Sequence, residues 1–406
     1  MTSTGRADVG ASVKKRVSQF EIHTALQKPL IKVKEYDWDD IETSSSRHLG
    51  SGSFSCVHSV RVCDIPYQLF ALKQLNLFNS STPLKQYKRG AIDIALEGKL
   101  ISYLDHENII KLHGVKQGCI RDSINNGNDP FFLILDYLPE TLEDRLDGWR
   151  RDVSVSSRLK ARLTRQDAKL IHRLETAAIG IARGMEYLHR HGVIFRDLKP
   201  DNIGFDSNGT VKIFDFGVAR DLEYVKQVGD RLGFTGTPRY MAPEVGSGIA
   251  YGLEADIYSF GILLHQICTL KQPYASLRSI EAFRSKVIQG GARPKLSLIK
   301  HSELRALIKS CWAVTPSNRP SFNKITSILE SIIERSRCNA RPQNWFPRKK
   351  SEKQQKMQIS KPAFNTRHSL SRTTLATNLS SYRSISSRRS SNENTNESSC
   401  SSTSTQ

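Results

Sequence analysis

One stretch of this 406-residue chain, Ile194-Phe195-Arg196-Asp197-Leu198-Lys199-Pro200-Asp201-Asn202, read together with Asp215-Phe216-Gly217, constrains its fold and chemistry more than any other. In order, the two segments set out a carboxylate (Asp197), an ammonium (Lys199), an amide (Asn202) and a second carboxylate (Asp215). Transfer of a phosphoryl group to a hydroxyl calls for those types: an acceptor for the hydroxyl proton, positive charge on the migrating group, and ligands for the Mg²⁺ ions that screen the phosphates. An Arg-Asp pair or an Asp-Phe-Gly turn alone is an ordinary loop feature, so the weight lies in the ordered set.

Upstream, Leu49-Gly50-Ser51-Gly52-Ser53-Phe54-Ser55-Cys56-Val57 leads into alternating apolar residues, as a strand, a turn and a second strand would. Its glycines let a backbone approach phosphates with no Cβ in the way. Phe70-Ala71-Leu72-Lys73 follows. Glu97 then sits in Ile94-Ala95-Leu96-Glu97-Gly98-Lys99-Leu100-Ile101, whose apolar residues recur at helical spacing ahead of His106-Glu107-Asn108-Ile109-Ile110. In this order the segments resemble the eukaryotic protein kinase family, whose catalytic loop reads H-R-D-x-K-x-x-N and whose metal site reads D-F-G. Lys199-Pro200 is similar to the serine/threonine branch, where tyrosine kinases carry Ala-Ala or Arg-Ala.

The resemblance implies phosphorylation of serine and threonine hydroxyls on protein substrates by ATP with Mg²⁺, and it implies a role for each site residue. Asp197 accepts or orients the hydroxyl proton, Lys199 neutralises developing charge, and Thr237, within Thr235-Gly236-Thr237-Pro238-Arg239-Tyr240-Met241-Ala242-Pro243-Glu244, bridges the two. Asn202 and Asp215 bind the metal. Gly50, Ser51, Gly52, Ser53 and Val57 cover ATP, with Phe54 as the loop-tip aromatic and Ala71 beside the nucleotide. Lys73 holds the α- and β-phosphates, and Glu97 is its helical partner. Nearby Asp93 competes for that partner role, and its plainer reading is a solvated helix face. The apolar run Phe131-Phe132-Leu133-Ile134-Leu135 should end in the hinge that binds adenine, with Leu135 as gatekeeper and Asp136-Tyr137-Leu138 following.

Asp256-Ile257-Tyr258-Ser259-Phe260-Gly261 matches the family's buried helix, whose aspartate anchors the catalytic-loop backbone. Cys311-Trp312 through Arg319-Pro320-Ser321-Phe322 resembles the closing C-W-x(6)-R-P-x-F motif of tyrosine and tyrosine-kinase-like kinases, with Arg319 expected to pair with Glu244. The implied fold is α+β, two-lobed: a small mainly-β N-terminal lobe with one regulatory helix, to about residue 138, and a larger mainly-α lobe from about 139. We divide the chain into a basic arm (1–36), a kinase domain (37–334) and a basic, Ser/Thr-rich tail (335–406).

Composition bounds the partners. A net charge of +20 would raise nucleic acid or an anionic membrane. Yet residues 335–406 hold 14 Lys and Arg against 3 Glu, and residues 1–36 hold 7 against 3 acidic groups, so the basicity belongs mainly to the flanks. No nucleic-acid motif accompanies it. The tail is poor in apolar residues and expected to be disordered. There Arg383-Ser384-Ile385-Ser386-Ser387 and Arg388-Arg389-Ser390-Ser391 set hydroxyls beside arginines, where phosphorylation would cancel charge or an acidic regulator would dock. Seven scattered cysteines without C-x-x-C spacing read as reduced thiols. No apolar run approaches a membrane span, and Arg6, Lys14, Lys15 and Arg16 read as a basic arm rather than an organellar leader. The expected compartment is the cytoplasm, with the nucleus second. Two insertions stand out: residues 116–130, read as a long turn, and the basic stretch near 147–166, read as a solvated loop with docking of an acidic partner as the alternative.

Two departures bear on activity. Phe195 stands where the family carries histidine, and Ser55 where it carries the third glycine. Neither removes a charge that the chemistry needs, so an active enzyme is expected. The alternative is a nucleotide-binding scaffold on the same fold. Arg196 resembles the arginine that grips a phosphorylated activation loop. Between Gly217 and Gly236 the hydroxyl candidates are Tyr224 and Thr235, of which Thr235 is favoured; Gly233 occupies a commonly phosphorylated position. Thr141 and Gln266 stand where kinases selecting basic substrates place acidic groups, leaving Asp201 as the matching charge.

Overall fold

Side chains alternate across a strand with a period of two, and that alternation builds the first half of the protein. The computed structural model describes residues 33–340 apart from 53, 77–83, 119, 121–129, 157–161 and 229–234, all of them within the first of the chain's two units, Met1–Pro342. Strands β1 (Lys34–Tyr36), β2 (Ile41–Ser51), β3 (Ser55–Val62), β4 (Ile65–Leu75), β5 (Leu112–Lys116) and β6 (Phe132–Asp136) make one six-stranded sheet in the order β1-β5-β6-β4-β3-β2. β1 and β5 run parallel and the other neighbours antiparallel. Phe70 and Leu72 of β4 turn to one face and bury against Tyr36, Ile41, Val60, Val62, Phe132 and Ile134. Ala71 and Leu75 turn to the other face, joining a core that passes through α1 (Leu84–Ser102) into the second half of the molecule.

Helices dominate from there. β7 (Glu140–Thr141) leads into α2 (Leu142–Ser156), α3 (Arg162–Arg173), a π-helical turn at Leu174–Ala178 and α4 (Ile179–Arg190). Short strands β8 (Val193–Ile194), β9 (Ile203–Phe205), β10 (Val211–Ile213) and β11 (Arg220–Asp221) follow, pairing as β10-β9-β7 and β11-β8. Then come α5 (Leu222–Val228), α6 (Pro243–Gly246), α7 (Glu254–Thr269), α8 (Ile280–Phe283), α9 (Ser302–Cys311) and α10 (Phe322–Ala340). Every residue of α7 from Ala255 to Ile267 is buried, as expected of a helix with apolar residues on all sides at the centre of a lobe. Gly261 is what lets α9 approach, since a Cβ there would meet that of Cys311 at 2.7 Å.

Three boundaries differ from the sequence expectation. β1 lies ahead of residue 37 and buries Tyr36, and α10 continues past 334 to Ala340. The basic stretch near 147–166 is helical on both sides of its gap, belonging to α2 and α3. Its Arg150 donates to the carbonyl of Leu270 at 2.9 Å and pairs with Glu143 and Asp147, while Arg173 donates to the carbonyl of Cys268 at 2.9 Å. Both cations therefore sit at the carbonyl end of α7, where the helix dipole favours positive charge. Arg158 and Lys160, and most of the 116–130 insertion, lie outside the described residues. Cys56, Cys63, Cys268, Cys311 and Cys338 are unpaired, and burial pushes the Cys268 and Cys311 thiols up to about 12. No helix among the described residues is long and apolar enough to cross a membrane.

Arg319 pins the lower half of this lobe. Its guanidinium meets Glu244 in two bonds of 2.6 and 3.0 Å and also donates to the carbonyls of Ala313 and Glu254. With the arginine side chain fully covered, removing it strands a poorly solvated carboxylate. Arg319→Ala is therefore expected to lower the unfolding free energy by about 3 to 5 kcal/mol, measurable by urea denaturation; a loss below about 1 kcal/mol, the value of an exposed pair, would contradict this assignment.

Candidate active site

Strand register sets one wall of the cleft. Residues directly opposed in an antiparallel pair share a face. Val57 opposes Lys73, and Ala71 opposes Leu135, so these four point to the side of the sheet that α1 covers. Gly50, Ser51 and Gly52 turn the chain from β2 into β3 above them, closed by a hydrogen bond from Gly52 N to the carbonyl of Ser55. Ser53 lies outside the described residues. Phe54, at the loop tip, rests on α1 at Gly90, where an added Cβ would come within 2.2 Å of it.

Lys73 is 13% exposed and lies between two carboxylates, 2.6 Å from Glu97 Oε2 and 2.8 Å from Asp215 Oδ1. Burial alone would lower its pKa, but the two anions outweigh it and raise the value, so Lys73 stays a cation. Lys73 in turn holds the Asp215 carboxyl below its ordinary range. Glu97 also accepts from the backbone N of Phe216 at 3.2 Å, and the Phe216 ring is buried edge-on to Phe195 at 5.2 Å. One glutamate thus ties α1 to β4 and to the Asp215 turn together. Asp93 does not share this role: it faces Arg220 at 3.6 Å and Arg89 at 3.9 Å, half-buried rather than on a solvated face.

The opposite wall is built around Asp197. Its Oδ1 accepts from both the backbone N and the hydroxyl of Thr237, each at 2.8 Å. Its Oδ2 accepts from Lys199 Nζ at 2.7 Å and from the Asn202 amide at 3.0 Å, and Lys199 also donates to Thr237 Oγ1 at 3.0 Å. The carboxylate is held in one orientation by four donors. Asn202, spending its nitrogen on Asp197, keeps its oxygen for another ligand. Asn202 and Asp215 thus each offer a hard oxygen donor, the ligand type that suits Mg²⁺ completing its shell with water and phosphate oxygens. No cluster of three or more His, Cys, Asp or Glu suited to a metal occurs among the described residues.

Buried Asp256 supports this wall from below. It accepts from the backbone N of Phe195 and of Arg196, each at 2.8 Å, and from His189 at 3.0 Å. Arg196 needs that support, because its φ of 75° is in the left-handed region that costs a non-glycine residue about 1 to 3 kcal/mol. Phe195, fully buried, fills apolar space where the resembled family carries histidine, and His189 of α4 gives Asp256 an imidazole partner. The Arg196 guanidinium donates to the Tyr251 hydroxyl at 2.8 Å and to the carbonyl of Val218 at 3.1 Å, beside a small cavity that Thr235 also lines.

Other expected residues are placed differently. The Asp136 side chain turns away from the cleft: it accepts from Lys111 N at 3.0 Å and bonds His113 at 2.7 Å. Leu138 packs on Gly204 of β9, where a Cβ would lie 2.6 Å from it. Thr141 caps the start of α2 through Asp144, and the Gln266 oxygen accepts the buried Tyr240 hydroxyl at 2.6 Å. Sequence reading missed the partners Tyr251, Arg220 and His113, which no short motif marks.

A family model for the protein kinase domain matches residues 43–330. The RGS domain-containing serine/threonine-protein kinase A of Dictyostelium discoideum is 33% identical over 63% of this chain and 20% of its own length. Serine/threonine-protein kinase STY17 of Arabidopsis thaliana is 38% identical over 40% of this chain and 28% of its own length. Dual specificity protein kinase shkC of D. discoideum is 40% identical over 37% of this chain and 30% of its own length. The chain thus spans less than a third of the length of these relatives.

Because Asp256 offers a backbone loop two anionic oxygens, Asp256→Asn should replace an acceptor by a second donor facing buried N–H groups. The expected cost is about 1 to 3 kcal/mol of stability, with faster amide exchange at Phe195 and Arg196; unchanged exchange there would refute the anchoring role.

Proposed function

The chain belongs to the protein kinase family, and we propose that it transfers the γ-phosphate of Mg-ATP to serine and threonine hydroxyls of proteins. The observation that carries this reading is the meeting of the two walls: Lys73, Glu97 and Asp215 joined across the cleft, facing an Asp197 locked by Lys199, Asn202 and Thr237. Every charge that phosphoryl transfer requires is present in a geometry that supports it.

Gly50, Ser51, Gly52 and Ser53 cover the phosphates. Val57, Ala71, Leu135, Leu138 and the backbone at Asp136 enclose the adenine. Lys73 binds the α- and β-phosphates, kept cationic by its two neighbours. Asn202 and Asp215 hold Mg²⁺, which when bound screens the phosphate charge that opposes an incoming oxygen. Asp197 orients the substrate hydroxyl. As that oxygen bonds to the γ-phosphorus, the bond to the β,γ-bridging oxygen breaks, ADP leaves, and the hydroxyl proton passes to Asp197. Lys199 neutralises charge on the migrating group. The catalytic unit is residues 37–334, extended at its edges by β1 and the last turns of α10. With Gln266 bonded to Tyr240, strong selection of basic substrates is not supported, although Asp201 remains exposed. We place the protein in the cytoplasm, with the nucleus as a second site, and assign the basic tail to an acidic regulator.

A scaffold that binds nucleotide without catalysis is the second reading, raised by Phe195 and Ser55. Labelled γ-phosphate transfer with Mg²⁺, to the protein itself and to generic serine/threonine and tyrosine substrates, separates the two. Incorporation by the native chain that Asp197→Asn abolishes supports the kinase. Absence of transfer, despite the stabilisation of about 2.7 kcal/mol that ATP at a hundred times its Kd confers, supports the scaffold. Thr235→Ala is expected to lower activity if a phosphate at Thr235 is read by Arg196, and an unchanged rate would remove Thr235 from regulation.

A further inference from the structure

On α1, Asp93 precedes Glu97 by one turn and lies on the same flank. Its carboxylate approaches Arg220 Nη2 of β11 at 3.6 Å, and both side chains are largely covered, with exposures of 27% and 19%. Arg220 is held from its other side: Nη1 donates to the carbonyls of Gly217 and Ala219 at 3.1 and 2.7 Å. The guanidinium therefore reaches from the backbone just after the Asp215-Phe216-Gly217 turn across to α1. Glu97 grips the same short segment one turn further along, at the backbone N of Phe216. Two carboxylates spaced one helical turn apart thus hold one segment. Burial pushes the Asp93 carboxyl upward while Arg220, then Arg89 and Lys73, pull it down, so its charge depends on these cations.

We propose that Asp93 and Arg220 are a second latch, a positioning pair that keeps α1 where Glu97 meets Lys73 and so sets the fraction of molecules able to transfer phosphate. Besides its apolar packing, α1 is tied to Lys73 and to the Asp215 turn through a single residue, Glu97, and those bonds by themselves leave rotation about that residue open. The second attachment, displaced by a turn along the helix, opposes that rotation. Asp93 and Arg220 touch no reacting atom in this assignment, which rests, for its kinetic part, on the kinase reading above.

The test compares native protein with Asp93→Asn, Asp93→Glu, Arg220→Met and the Asp93→Asn/Arg220→Met double variant, read by amide hydrogen exchange over residues 84–102 and by kcat and KM for ATP. For Asp93→Asn the expectation is faster exchange in α1 and a kcat lowered about threefold, the scale of a partly exposed ion pair acting on a two-state helix. KM for ATP should change less than kcat, because the loss falls on the competent fraction. Asp93→Glu, which keeps the carboxylate, should recover most of the native behaviour. In the Arg220→Met background, Asp93→Asn should add nothing further, since coupled residues are not additive. Native exchange in α1 of Asp93→Asn, or an undiminished effect of that change without Arg220, would overturn the latch. Exchange does not require turnover, so a chain that transfers no phosphate would count against the kinase reading while leaving the latch to be judged by α1 protection.

Discussion

A lysine ammonium sealed from most water needs anions close by, and the arrangement of this protein follows from how Lys73 obtains them. Its two carboxylates come from parts of the chain far apart in sequence: Glu97 from α1, and Asp215 from the turn after β10. Each brings its own attachments. Glu97 bonds the Phe216 backbone, and Phe216 inserts its ring against Phe195. Sheet, helix and lower lobe are consequently registered through one charge. Loss of Lys73 would leave the buried Glu97 carboxylate without its cation, the costly case for a covered charge.

A second constraint works through the backbone. Asp197 can face the cleft only if the loop before it takes a left-handed turn at Arg196, and Asp256 stabilises that turn with hydrogen bonds to two successive amides. The segment carrying Thr237 then approaches so closely that Gly236 adopts φ 103°, where a Cβ would lie 2.5 Å from the carbonyl of Arg196. Glycine is the residue that fits. Strain at Arg196, freedom at Gly236 and a buried acceptor in α7 together deliver the Thr237 hydroxyl to the Asp197 carboxylate.

Much of this was legible beforehand, and unevenly. The groups proposed to react fall in short segments whose residue types such chemistry would dictate, so Asp197, Lys199, Asn202 and Asp215 stand out without a structure. The β4 alternation likewise puts Lys73 on the face of Ala71 rather than of Phe70 and Leu72. Asp136 illustrates the opposite case: its place after an apolar strand suggested a hinge, but its carboxylate answers to Lys111 and His113, whose proximity only the β5–β6 pairing creates. Asp93 read as a solvated helix position because its cation comes from residue 220. The stretch near 147–166 read as loop because a charge run hides helices whose arginines serve the carbonyl end of α7.

What the amino-acid sequence determined by itself was therefore the family, the kind of chemistry proposed and the places of the motif-bearing elements, because those depend on residue type, short spacing and periodicity, all of which are local. The tertiary structure alone decided the partners that no motif marks: Arg220 for Asp93, Lys111 and His113 for Asp136, and the left-handed turn at Arg196 that Asp256 stabilises. Those choices turn on distances of a few ångströms between segments distant in the chain, where burial makes an unpaired charge costly and packing, not sequence proximity, selects the partner.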